Sequence, residues 1–259
     1  MTIYHNKGEN MDYIRLENIC KSYDNIEIIK NINFSLKKGE IVSFLGKSGV
    51  GKTTLFNILA GFENPDNGKI FLEEKDITNQ KKNISYMTQK HLLLPYLNVL
   101  DNVCLPFKIN GINKKIAYEK AIPILEKFGL YKHINKYPSE LSGGMKQRVA
   151  FIRAYLKESD LMLFDEPFSA LDSITKQSVY KWFKQMIKYE NKTTIFITHD
   201  INEAIYLSDK IYILAKKPAN IVLSLNIENN IKDFRTSKEF LLYYKQITNC
   251  LEKYLDEYN

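Results

Sequence analysis

The segment Gly46-Lys47-Ser48-Gly49-Val50-Gly51-Lys52-Thr53 has the residue types and spacing to hold phosphate, fitting G-x-x-x-x-G-K-[ST]. Glycines let backbone N–H groups turn towards phosphate oxygens without a Cβ in the way. A helix N-terminus after the loop adds unpaired donors and partial positive charge. Lys52 supplies a full charge between the outer phosphates, and Thr53 supplies a hydroxyl for Mg²⁺. Two further stretches carry acid–base chemistry. Leu161-Met162-Leu163-Phe164 ends in Asp165-Glu166, and Thr194-Ile195-Phe196-Ile197-Thr198 ends in His199-Asp200. Beside a phosphate loop, Asp165 is placed to hold Mg²⁺, and Glu166, one residue on, is free to orient or deprotonate a water. A lone histidine is more often structural; the position of His199 after a third such strand makes it a site residue. The fourth stretch is Leu141-Ser142-Gly143-Gly144-Met145-Lys146-Gln147-Arg148, where Ser142 and two glycines open a helix running to about Leu156. This is a second anion-binding helix start. It cannot serve the phosphates of the first unless another chain brings it there.

Those residues need strands that end at one edge. In parallel α/β sheets, ligands bind beyond the carboxyl ends of the strands. The apolar run Ile41 to Leu45 leads into the phosphate loop, and Thr54 to Ala60 reads as the following helix, stopped by Gly61. After Asp160, strands and helices alternate: Leu161 to Phe164, Ser173 to Tyr189, Thr194 to Thr198, Ile201 to Ser208, Ile211 to Ala215. This alternation predicts an α/β fold with a parallel sheet. Earlier, Ile14 and Leu16, then Ile32, Phe34 and Leu36, alternate with polar residues, as antiparallel strands with one wet face do. Pro65 to Gly68 reads as a turn and Lys69 to Glu73 as a strand. From about Val99 to Tyr155 the pattern is mostly helical. Ile116 to Phe128 is one helix ended by Gly129, with a kink or a late start at Pro123. Val179, Trp182, Phe183 and Met186 fall on one core face. Thr236-Ser237-Lys238-Glu239 reads as a capping box. It opens a last helix whose apolar face is Phe240, Tyr244, Ile247, Leu251 and Leu255, docked on the same chain or offered to a partner.

Composition narrows the class. The chain has 259 residues, 44% of them hydrophobic, enough for a sizeable core in one large domain or two small ones. Cys20, Cys104 and Cys250 are unpatterned, which points to a reducing compartment and no zinc site. Met1 to Asn10 is polar, reads as a loose tail with Met11 as an alternative start, and lacks the apolar core of a secretory signal. No apolar run has the roughly 18 residues of a membrane span. A soluble, cytoplasmic protein is expected, reaching a membrane only through a partner. The formal charge of +7 admits nucleic acid or an anionic surface as partner. The lysines, however, are interspersed with glutamates, as in Asn113 to Lys127, the pattern of a solvated face.

Taken in order, the four stretches resemble the ATP-binding cassette (ABC) proteins over about Tyr13 to Ile227. The segment at Ser142 resembles the signature sequence of that family. Asp165-Glu166-Pro167 resembles Walker B with its catalytic glutamate, and Ser169-Ala170-Leu171-Asp172 the D-loop. Gln89 resembles the Q-loop glutamine, His199 the switch histidine, and Tyr23 the aromatic that stacks on adenine. The resemblance implies an ABC ATPase fold, α/β with a RecA-like, mainly parallel sheet core, an antiparallel β subdomain and an inserted helical subdomain at about 90–156. The nucleotide-binding domain would span 13–228, between a flexible tail at 1–12 and a C-terminal helical tail at 229–259. It also implies ATP and Mg²⁺ as cofactors, with Gly46 to Thr54, Tyr23 and Asp172 at the nucleotide and Thr53, Gln89 and Asp165 at the metal. Lys52, Gln89, Glu166 and His199 would serve catalysis. Partners would be a second copy, head to tail, whose Ser142, Gly143 and Gly144 close over the ATP, permease subunits, and an extracytoplasmic solute-binding protein. The chain would sit at the cytoplasmic face of the cell membrane. Met145 to Val149, Asp165 to Phe168, His199 to Ala204 and Leu94 to Val103 are similar to the nitrate/sulfonate/taurine importers, a branch that includes importers of thiamine precursors. Leu93, Leu94 and Tyr96 either meet a permease loop or belong to the core. Two other classes compete. A nucleic-acid-bound ABC ATPase usually carries two cassettes or coiled-coil insertions. A small-molecule P-loop kinase would leave the Ser142 helix start without a purpose. A non-hydrolysing scaffold is disfavoured by Glu166 and His199.

Overall fold

The structure, a computed structural model, describes residues 12–80, 83–159, 161–169, 171–228 and 234–254, without the side chains of 173–175. The expected N-terminal tail to Met11, Ala170 of the D-loop segment and Leu255 of the last apolar face lie outside the described residues. In chain order, the first segment holds β1 (Ile14–Tyr23), β2 (Ile26–Leu36), β3 (Ile41–Leu45), α1 (Lys52–Ala60), β4 (Asn67–Leu72) and β5 (Lys75–Asp76). The middle holds β6 (Ser85–Met87), α2 (Val99–Val103), α3 (Leu105–Ile109), α4 (Lys114–Lys127), α5 (Gly143–Tyr155), β7 (Leu161–Asp165), α6 (Ser173–Tyr189) and β8 (Thr193–Thr198). The last holds α7 (Ile201–Leu207), β9 (Lys210–Ala215), β10 (Asn220–Asn226) and α8 (Lys238–Lys253). The chain forms two compact units, residues 1–82 with 199–259, and residues 83–198.

In the first unit, β1 lies between β2 and β4, antiparallel to both, with β5 beyond β4. Alternation sorts its faces: Ile14, Leu16 and Ile19 are buried, while Arg15 and Glu17 are not. β3 pairs parallel with β9, and β9 antiparallel with β10. Every residue of β3 is buried, the pattern of a strand covered on both faces. Phe34, Phe44 and Tyr212 pack ring on ring at 5.0–5.6 Å, and the Tyr212 hydroxyl donates to the Ser35 carbonyl at 3.0 Å. This aromatic knot fastens β2 to β3 and β9. The last helix docks on its own chain. Phe240 and Ile247 are buried with Ile205, Ile211 and Ile213, and Tyr243, Cys250 and Leu251 pack beside them. Each fully buried side chain of this kind contributes about 1.5–3 kcal/mol. The buried face therefore includes Tyr243 and not Tyr244, which is exposed. The cap is Ser237, whose hydroxyl accepts from the Phe240 N–H at 3.2 Å, one residue later than Thr236.

In the second unit, β6, β7 and β8 run parallel, with Met87 opposite Phe164 and Asp165 opposite Ile197. Phe151 on α5 stacks on Phe164 at 4.8 Å, and Phe183 on α6 meets both Phe164 and Phe168. The stripe expected on α6 is buried at Val179, Phe183 and Met186. α4 starts at Lys114 and runs through Pro123, so there is no late start. The carbonyl that proline deprives of its donor belongs to Glu119, on the exposed face of the helix. Asn102 is fully buried on α2. Its amide donates to the carbonyls of Leu94, Leu97 and Asn98 and accepts from the Leu94 N–H, which pins the segment before α2. That segment presents Tyr96, 71% exposed, and Leu92 to solvent; Leu93 and Leu94 are half-buried.

Candidate functional site

β3 ends at Leu45, and the chain turns at once into the phosphate loop. Gly46 passes so close to β9 that a Cβ there would lie 2.5 Å from the Leu214 carbonyl oxygen. A side chain would push the loop off the sheet. Gly51 adopts φ 110° and caps α1 with no side-chain cap, the kind of helix start that accepts an anion. Between them Lys47, Ser48 and Gly49 are exposed, while Val50 is buried and anchors the loop. Lys52 is only 6% exposed, and its Nζ donates to the carbonyls of Gly46 at 2.7 Å and Lys47 at 2.8 Å. The ammonium is thus folded under the loop it would serve, a buried charge held by hydrogen bonds. Thr53 is exposed and Thr54 half-buried.

Tyr23, at the end of β1, belongs to this same unit. Its hydroxyl is hydrogen-bonded to Glu63, whose other carboxylate oxygen accepts from Asn57 Nδ2 on α1 at 2.8 Å. Thr54 also shares a hydrogen bond with the phenol. Burial, and then Glu63, push the phenol pKa up to about 12. Tyr23 is therefore a neutral ring fixed to the phosphate-loop helix, with 41% of its surface open.

The carboxylates belong to the second unit. Asp165 is the last residue of β7 and is 3% exposed. Glu166 follows in the left-handed region at φ 51°. Its N–H donates to the Ile197 carbonyl at 3.0 Å, while its own carbonyl accepts from Gln147 Nε2 at 2.5 Å and from Ser169 Oγ at 3.1 Å. Gln89, after β6, is exposed. Ser142 caps α5, its hydroxyl accepting from the Met145 N–H at 3.3 Å, and Gly143 begins the helix. Asp172 is exposed ahead of α6, where it offsets part of the lowering that burial imposes on the Arg148 pKa. His199 directly follows β8 and is exposed, and Asp200 caps α7 through the N–H groups of Asn202 and Glu203. So Tyr23, Thr54 and the phosphate loop meet in one unit, to which His199 also belongs, and Asp165, Glu166 and the α5 helix are in the other.

The family model described as ABC transporter matches residues 29–169, more than half of the chain. The chain belongs to the ABC transporter family. It is an ATPase of the transport-coupled kind. It is 44% identical over 191 residues to the formylaminopyrimidine import ATP-binding protein ThiZ of Halalkalibacterium halodurans, covering 74% of each chain. It is 38% identical over 222 residues to the aliphatic sulfonates import ATP-binding protein SsuB of Bacillus thuringiensis subsp. konkukian, covering 85% of this chain and 86% of that one. Among solved structures, the dimeric post-hydrolysis state of the cassette MJ0796 bound to ADP and Pi superposes with a TM-score of 0.76 at 30% identity. That match covers 83% of this chain and 99% of that one.

Within this ABC cassette, residue-by-residue reading passed over three contributors. Glu63 orients Tyr23. Arg153 donates to the carbonyls of His91 and Leu92 at 2.9 and 2.8 Å, shaping the stretch after Gln89. Gln147 holds the Glu166 carbonyl. Only Gln147 left a trace in the sequence, a polar residue on the same helical face as Phe151 and Ala154, both buried.

Proposed function

We propose that the chain is the ATP-hydrolysing subunit of an importer for a small anionic or heterocyclic solute. The observation that carries this reading is the phosphate loop closed by buried Lys52, in a chain that also sets Glu166 one residue past buried Asp165. The donors Thr53 and Asp165 are oxygens, as a hard cation such as Mg²⁺ requires. Mg²⁺ held there with Gln89 would neutralise charge developing on the phosphates. Gly46 to Thr54 would cradle the phosphates, Tyr23 would stack on the base, and Glu166 and His199 would orient and polarise the attacking water. Each ATP would lie between these residues and Ser142, Gly143 and Gly144 of a second copy, with Asp172 close by. MJ0796 is described as a dimer with ADP and Pi, which supports that arrangement.

Among the described residues no helix is long and apolar enough to cross a membrane. A permease would therefore supply the path, and the chain would work at its cytoplasmic face, served by a solute-binding protein. The exposed stretch around Leu92 and Tyr96, beside a cavity of about 260 Å³ lined by Leu97, Lys108, Ile112 and Tyr118, would receive a permease loop. Relatives named for formylaminopyrimidine and for aliphatic sulfonates support a solute of the small anionic or heterocyclic class.

The test is phosphate release by the purified chain. Slow, Mg²⁺-dependent hydrolysis unaffected by DNA is expected. Salt-sensitive DNA binding with DNA-stimulated turnover would instead indicate a nucleic-acid ATPase. Tyr23→Ala should weaken ATP and GTP binding alike, by roughly tenfold, since stacking contributes about 1–3 kcal/mol and does not read base edges. Equilibrium titration with both nucleotides checks this; unchanged affinity would mean that another residue holds the base.

A further inference from the structure

We infer that Gln147 is a positioning residue for Glu166, linking the helix that opens at Ser142 to the water-polarising carboxylate of the same chain. The inference rests on the reading of Glu166 given above. Gln147 lies on α5 and is 3% exposed. Its amide nitrogen carries two protons, and both are used: one goes to the Glu166 carbonyl at 2.5 Å, the other to Ser169 Oγ at 2.9 Å. Ser169 Oγ in turn donates to the same Glu166 carbonyl at 3.1 Å. The three groups close a triangle in which each proton is used once. A non-glycine residue in the left-handed region persists only where its surroundings over-determine it. Here the N–H of Glu166 is held by β8 through Ile197, and its carbonyl by the triangle together with the Ser169 N–H at 3.3 Å. That backbone fixes the Cα–Cβ bond from which the carboxylate extends.

The triangle ties two sites together. Ser142 and Gln147 stand on one helix, about one and a half turns apart. A nucleotide gripped by Ser142 to Gly144 therefore acts on a rigid element whose next turn holds Glu166. Engagement of one nucleotide site adjusts the geometry of hydrolysis in the other. A residue with this role governs turnover and leaves ATP affinity alone.

The experiment compares Gln147→Met, Ser169→Ala, the double variant and Glu166→Gln in the full chain. It measures kcat and KM for ATP, nucleotide affinity, and the ATP-bound dimer by size-exclusion chromatography. Methionine keeps the length of glutamine but donates nothing. Gln147→Met should lose about tenfold in kcat with KM unchanged and should accumulate the ATP-bound dimer, because misplacing a reacting group slows chemistry and spares binding. Ser169→Ala should lose less, and the double variant less than the product of the single losses, since both act on one carbonyl. Parental kcat in Gln147→Met beside an inactive Glu166→Gln overturns this inference alone. Parental turnover in Glu166→Gln overturns the reading of Glu166 and this inference with it. If Gln147→Met fails to fold, Gln147→Asn, which keeps the amide but is one methylene too short for the contact with the Glu166 carbonyl, decides: lower kcat at constant KM supports the link, and parental kcat overturns it.

Discussion

Glu166→Gln should bind Mg-ATP as tightly as the parent and release phosphate at least ~10²-fold more slowly, the scale of losing a general base. Asp165 and Lys52 lie on other elements and keep their places, so affinity is spared. Glutamine matches the shape and hydrogen-bonding reach of glutamate but cannot take a proton from water. Its backbone carbonyl would still accept from Gln147 and Ser169, so the left-handed turn should survive. ATP would then persist between two copies, and the closed dimer should accumulate on size-exclusion chromatography with Mg-ATP. A variant that stays monomeric with ATP and turns over like the parent removes Glu166 from catalysis. A variant that is inactive and never dimerises leaves the carboxylate its role and assigns the bringing together of Ser142 to Gly144 to the permease.

Lys52→Ala should fail at the earlier step. Its ammonium is the buried cation of the loop, tied to the carbonyls of Gly46 and Lys47. Hydrogen bonds to charged groups contribute about 1.5–3 kcal/mol each. The loss should therefore weaken nucleotide affinity by roughly 10- to 100-fold, at 1.4 kcal/mol per decade. The two carbonyls lose their donor as well, so the loop itself loosens. Calorimetric titration separates the two variants: the Glu166 change should appear in kcat and the Lys52 change in Kd. Parental affinity in Lys52→Ala would show that backbone amides alone hold the phosphates.

Much of this site was legible in the sequence because local rules govern it. The phosphate loop needs glycines where a Cβ would strike β9 or where φ is positive, and Gly46 and Gly51 stand there. β7, α6 and β8 follow from apolar runs whose ends the expected boundaries match to within a residue. Asp165 and Glu166 could be singled out because two carboxylates after a buried strand are unusual. Boundaries that depend on neighbours were less legible. β4 begins at Asn67, inside the expected turn, because Cys20 of β1 is there to pair with it. β10, absent from the expected elements, exists because β9 offers an edge from Lys210 to Ala215.

On α8, amphipathic spacing located the helix, yet the choice of Tyr243 over Tyr244 belongs to the packing against Ile205 and Ile213. Tertiary structure alone decided the hydrogen bonds among residues distant in sequence. Glu63 reaches Tyr23, Arg153 reaches His91 and Leu92, and Gln147 reaches Glu166. None of these partners is at a spacing that a helix or a strand repeats. A sequence period reports which face of an element is apolar. It is silent about which buried carbonyl a polar group on that face will meet, because that is set by how the elements pack. Residue types and local spacing therefore pointed to the chemistry, and the backbone of Glu166 was set by the packing of α5 against the end of β7.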